Sequence, residues 1–190
     1  MTDCVRETLE SERQTELSRL GSSKALYATT RGTMDGPAIA AANRAMSEAI
    51  ADRLADRDAS WAEDLERRAR SDAERLADLA GEPGDPLIDP ALGEEAAALG
   101  TLIGWATVAI RLAEQETGYF VGQARPGDAD TVRSVVDSRE RFRERVCSAI
   151  EDAGVDRDAV EAAAIDLVDA AYEAYVDRLE AEGIEPKSIC

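Results

Sequence analysis

The sequence predicts an all-α protein, on three observations. Apolar residues recur every three or four positions through almost every regular stretch, capping residues and Gly or Pro punctuate those stretches, and no segment alternates in the manner of a strand. The most apolar run, Ala96 to Gly127, organises the rest. Leu99, Leu102, Ile103, Ala106, Ile110 and Ala113 fall on one helical face and Trp105, Val108 and Leu112 on a second, so little polar surface remains and the helix belongs inside. Gly100 and Gly104 clear one patch of this GTLIG segment for close approach of a neighbour, either another helix of the chain or a second copy. The uncharged run from Ala96 to Ile110 is shorter than the roughly 20 residues a bilayer demands, and Glu94, Glu95, Arg111 and Glu114 bracket it; a membrane span is not expected.

The elements follow in order. Asp3 begins an N-terminal helix bearing Val5, Leu9, Leu17 and Leu20, bent or ended near Gly21. A connection around Met34 leads to Asp35, read as an N-cap, and to a first hairpin over residues 37–80. Its stripes are Ile39, Ala42, Met46, Ile50 and Leu54, then Trp61, Leu65, Ala69, Leu76 and Leu79, with Asp58 or Ser60 capping the second helix. The Pro- and Gly-rich linker 81–90 ends in Asp89 and Pro90, read as cap and first turn of the hub helix 91–117. Gly118, Gly122, Pro126 and Gly127 predict a tight packed corner in TGYFVGQARPGD. A C-terminal hairpin over 128–182 follows, begun by Asp128 or Asp130, broken at Gly154, restarted by Asp156 and closed by Gly183. Its stripes are Val132, Val135, Phe142, Val146 and Ile150, then Val160, Ala164, Leu167, Ala171, Tyr175 and Leu179. Together these make a single domain of residues 1–190, an antiparallel helical bundle with an additional N-terminal helix, or else hairpins packed at steeper angles.

Composition narrows function. Forty acidic against 22 basic side chains give a formal charge of −18, with lysine only at positions 24 and 187. Concentrated salt screens such self-repulsion, so the expectation is a halophile that keeps salt in its cytoplasm. The same field argues against a direct grip on nucleic acid. Arg139, Arg141, Arg143 and Arg145, alternating with Glu140 and Glu144, read as a salt-bridged solvent face. Cys4, Cys147 and Cys190 lack metal or redox spacing and read as free thiols, with a Cys4–Cys190 pairing if the ends meet. No signal or transit sequence is read before the first helix.

The chain has no histidine, which removes imidazole bases, Ser-His and Cys-His nucleophiles and His-containing metal motifs. No phosphate-cradling glycine motif is present. No catalytic residue and no cofactor are expected. Asp72 falls on a buried stripe; it reads first as a salt-bridge partner of Arg53 or Arg57 and second as a metal-ligand remnant or substrate contact. Asn43 has the same two readings. Tyr27, Tyr119, Phe120, Tyr172 and Tyr175 line a pocket or pack in the core.

In ELSRLGSSKALYATT, TGYFVGQARPGD and GIEPKSIC the chain resembles a haloarchaeal family related to rubrerythrin and other ferritin-like bundles, whose members are often labelled transcription antitermination proteins. The resemblance covers nearly the whole chain and implies a ferritin-like four-helix bundle with additions. Ferritin-like iron proteins project inward Glu residues and Glu-x-x-His motifs. On the implied placement Asn43 stands at a first-hairpin carboxylate, and Asp72-Ala73-Glu74-Arg75 fills a Glu-x-x-His slot, where a guanidinium cannot ligate a cation. The expected function is therefore that of a non-catalytic binding or interaction protein without an intact di-iron site. Its partner would be another protein or a second copy, as in a homodimer, and any part in transcription would run through protein contacts. A carboxylate-only metal-binding or rubrerythrin-type redox protein is the alternative.

Overall fold

The structure, a computed structural model, describes residues 3–186, with side chains from Val5 onward. The capping expected of Asp3 and the pairing of Cys4 with Cys190 lie outside the described side chains. Eight helices and no strand occur among the described residues: α1 (Asp3–Glu12), α2 (Gln14–Leu20), α3 (Ser23–Thr29), α4 (Gly36–Ala55), α5 (Ala62–Ala77), α6 (Glu95–Gly122), α7 (Pro126–Ala153) and α8 (Arg157–Ala181).

The N-terminal helix expected to run to Gly21 is two, α1 and α2, and a further short helix, α3, follows over Ser23–Thr29, where the sequence offers only a connection. The break between α1 and α2 falls at Arg13, whose guanidinium forks onto both carboxylate oxygens of Asp169 in α8, at 2.6 and 3.0 Å. The fork ties the bend to the C-terminal helix. Leu9, Leu17 and Leu20 are buried on this side of the molecule.

The α4–α5 hairpin forms as expected, with Ile39, Ala42, Met46, Ile50 and Leu54 all buried. The Asp35 carboxylate accepts from the Ala38 amide at 2.8 Å, one of the orphan donors of the first turn. Asp35→Ala is expected to cost about 1 kcal/mol of stability in a denaturant titration. Capping of α5 by Asp58 or Ser60 does not occur: Trp61 holds that position without a side-chain cap, its indole donating instead to Glu95 at 3.2 Å.

Residues 81–94 form a strap that crosses α4 before entering α6. A side chain at Gly84 would come within 2.6 Å of the α4 backbone at Ala41 and Ala42, so only glycine lets the strap lie this close. Leu87 and Ile88 plug into the core, and Asp89 pairs with Arg53 at 2.8 Å rather than capping the hub helix, which starts at Glu95.

Helix α6 also runs farther than the glycines suggested, through Gly118 to Gly122, because Phe120 is fully buried and anchors its last turn. The corner shrinks to 123–125. Helix α7 starts at Pro126, without the expected cap from Asp128 or Asp130, whereas Asp156 does cap α8 and Gly154 ends α7 with φ +60°. The C-terminal pairing expected over 128–182 is replaced by a different one: α7 and α8 each pack along α6 rather than along each other. A helix apolar on nearly every side can serve two neighbours. Its glycine patch faces α8, where Gly100 and Gly104 lie against the Val160 and Ala164 carbonyls; the GTLIG segment is filled within the chain. Helix α6 is long and apolar enough to cross a membrane, but most of its apolar length is buried inside this fold, as in the core of a soluble protein.

Helices α4, α5, α7 and α6 pack in a ring: α4 on α5, α5 on α7, α7 on α6 and α6 on α4. Helices α8, α2 and α3 also pack on α6, and α1 lies against α8 and α2. What faces the middle of the ring positions the site.

Candidate functional site

Each of the four ring helices contributes a polar side chain to the interior. Asn43 comes from α4, Asp72 from α5, Glu116 from α6 and Arg139 from α7, and all four are buried. Ser47 and Ser138 join them. Burying this many polar groups is costly unless they satisfy one another, so the pairing scheme defines the site.

Arg139 is its centre. One terminal nitrogen donates to the Ala109 carbonyl at 2.7 Å, and the other donates to the Ser47 hydroxyl at 2.9 Å and the Asn43 carbonyl at 3.4 Å. The guanidinium carbon lies 5.6 Å from the Trp105 ring centroid, a cation–π contact in a dry setting. The side chain thus ties α7 to both α4 and α6. Burial lowers its pKa and the Asp72 and Glu116 carboxylates oppose that shift. An arginine keeps its proton even here.

Asp72 hydrogen-bonds Ser138 and pairs with Arg75 at 3.1 Å. Its pKa is raised, burial being the largest cause, against the pull of Arg139, Ser138 and Arg75. The expected partners from across the hairpin are engaged elsewhere, Arg53 with Asp89 and Arg57 with the Gly93 carbonyl and the Trp61 ring. Asp72 therefore looks inward at α7 and along its own helix at Arg75.

Glu116 accepts from the Asn43 amide and makes no ion pair with a described residue. Its Oε1, the Asn43 Oδ1, the Arg139 Nε and the Trp105 Nε1 are buried without partners. Two of those four atoms are acceptors on one hydrogen-bonded acid–amide pair, and a proton on the carboxyl gives that pair the donor it lacks. Arg139 is coupled more strongly to Asp72 than to Glu116, so Glu116 is the less compensated of the two carboxyls. Burial raises its pKa from 4.5 to about 7, against the pull of Asn43 and then of Arg139.

The sign for stability follows. Below 4.5 the folded and unfolded chains both hold the Glu116 proton; as pH rises towards 7 the unfolded chain releases it first, so stability falls through that window and levels off above it. Glu116→Gln keeps the shape and supplies both donor and acceptor. It is expected to match the wild type near pH 4.5 and exceed it by roughly 3 kcal/mol at pH 8, read as the difference between two denaturation series run in the same salt.

The sequence named Asn43, Asp72 and Arg75, and the structure brings the first two into this cluster, with Arg75 at its edge. It missed Glu116 and Arg139, the latter placed on a solvent face but fully buried. The tyrosines are not gathered. Tyr172 and Tyr175 stack at 5.8 Å, and Arg19 donates to the Tyr172 hydroxyl at 2.6 Å; Tyr27 packs beside Gly32. Tyr119 and Phe120 meet edge-on at the end of α6, and the Tyr119 hydroxyl reaches the Met34 carbonyl.

No family model, curated protein or solved structure matches the chain. The donor set does not fit the di-iron centre that the ferritin-like resemblance implies: of four inward groups one is a permanent cation, one an amide and one a carboxyl whose pKa burial raises to about 7, and Asp72 already has its counter-charges. Among the described residues no three Cys, Asp or Glu side chains are grouped to hold an ion.

Proposed function

We propose that this chain is a ferritin-like bundle from a halophile's cytoplasm in which an internal polar network stands in place of a metal centre, and that it acts without catalysis, as a binding or interaction protein. The observation that carries the reading is Arg139: a fully buried guanidinium, hydrogen-bonded to α4 and α6, occupies the middle of the ring where a cation would otherwise be held. A fixed positive charge there repels a second one. Iron(II) titration in molar salt, followed by elemental analysis of the desalted protein, tests it. No stoichiometric uptake is expected, and tight retention of two irons per chain would overturn the reading.

The other reading, a carboxylate-only metal-binding or rubrerythrin-type redox protein, draws on the unpartnered oxygens of Glu116 and Asn43 beside Asp72 and predicts that opposite result. A transcription-associated role through protein contacts draws on the family resemblance, and predicts co-purification with RNA polymerase under gentle high-salt extraction. In either interaction role the partner meets a strongly acidic surface, since the basic side chains are mostly paired with acids on the same face.

A further inference from the structure

A second site, independent of the ring centre, lies in a hollow lined by the start of α1 and the C-terminal half of α7. Arg143 is half-buried there, and neither ion pair nor hydrogen bond joins it to another described residue. That is unusual in a chain with 40 acids, where almost every other arginine has found a carboxylate or carbonyl. Arg6 of α1, itself paired with Glu10 at 4.0 Å, opposes the Arg143 charge, and Glu140, Cys147 and Glu10 each favour it less than Arg6 opposes it. A desolvated guanidinium facing another cation is costly and calls for an anion.

The space for one is present. Arg6 and Arg143, with Ser148, Cys147, Val5 and Ile103, surround a cavity of about 360 Å³. On the other side of Val5 and Cys147 a second cavity, about 240 Å³, is walled mainly by Ile150, Val155 and those same two residues. Since both hollows share Val5 and Cys147, a molecule can lie across them with its charged end at Arg143 and its body on the apolar wall. Glu144 and Glu151 also line the hollows but are exposed, where screening is strongest, whereas Arg143 is half-buried.

We infer that this groove binds a small amphiphilic carboxylate, an anion with a short aliphatic tail, its head forked by Arg143 and its tail lying along Ile150 and Val155. Two donors in a planar fork suit a carboxylate head, and a mixed polar and apolar lining of this size suits a ligand rather than a macromolecule.

Calorimetric titration of the full chain with decanoate in molar potassium chloride tests this, alongside decanol and inorganic phosphate. Saturable one-to-one decanoate binding is expected, weakened about tenfold or more by Arg143→Gln and unchanged by Arg141→Gln, a neighbouring exposed arginine. Arg143→Lys, which keeps charge and stem but not the fork, is expected to fall between. In the unaltered protein, decanoate should also slow alkylation of Cys147, mapped by mass spectrometry, without slowing that of the other cysteines. The inference is overturned if decanoate does not saturate, if decanol binds as tightly, if phosphate alone binds as tightly, or if the Arg143 and Arg141 variants behave alike.

Discussion

Gly100→Ala is expected to destabilise the protein, whereas Gly118→Ala, the same change in the same helix, is expected to stabilise it. A methyl group on Gly100 would sit 2.2 Å from the Val160 carbonyl oxygen and 2.9 Å from the Ala163 side chain, so α6 and α8 must move apart along their whole contact. The obstacle is backbone, which cannot rotate away. Alanine favours a helix over glycine by about 1 kcal/mol, but overpacking a rigid contact costs about 3 kcal/mol or more, and the net loss should be about 2 kcal/mol or greater. At Gly118 nothing lies within 4 Å of the added methyl, leaving only the helix preference, a gain of roughly 0.5–1 kcal/mol. Chemical denaturation of the two variants in the same salt measures both. Equal effects would mean that α8 does not seat on the glycine patch.

The pair also separates what sequence could show from what it could not. The small-residue patch was visible, but its neighbour was not, because α7 and α8 are both amphipathic and either could have filled it; pairing is decided by which face of α6 each meets. Apolar stripes and local punctuation were legible wherever a single rule governed, as in the buried α4 face, the Asp35 cap and the left-handed Gly154. They failed where two rules competed. The run of glycines after Thr117 argued for a corner, yet each costs a helix only about 1 kcal/mol, and burying Phe120 outweighs that.

The two polar residues missed at the site were legible in principle. Along α6 the face of Ile110 and Ala113 continues to Glu116 and then Phe120; along α7 the stripe of Val132 and Val135 continues to Arg139 and then Phe142. A charge at the period of the core is buried if the helix is. What hid them was composition: in a third-charged chain, Glu116 sits in AEQET and Arg139 in an alternating Arg and Glu run, and both look like solvent faces. Their pairing with Asn43 and Ser47, in a helix more than 60 positions away in sequence, is a tertiary fact that no local pattern contains.

Arg139→Met should lower stability by about 3–5 kcal/mol at neutral pH, the usual consequence of removing one member of a buried charged group. Three effects add. Asp72 loses its main opposing charge while remaining buried, the Ala109 carbonyl and the Ser47 hydroxyl lose their donor, and Trp105 loses the cation at its face. For a chain of this length that amounts to a fall in Tm of roughly 10 °C. The pH dependence identifies which carboxyl the arginine serves. In a double-mutant cycle at pH 6 the coupling with Asp72→Asn should exceed that with Glu116→Gln, because Arg139 is the charge that most opposes the burial of Asp72. With Glu116→Gln it should be small at pH 6, where Glu116 holds its proton, and grow by pH 8, above the pKa of about 7, as the carboxyl ionises and begins to need the guanidinium. Coupling to Glu116 that is already large at pH 6 would mean that this carboxyl is charged in the fold, and the acid–amide pair with Asn43 would have to be abandoned. If Arg139→Met instead proved as stable as the wild type, the ring would not depend on a central cation for its packing, and the argument that Arg139 stands in place of a metal would fail with it.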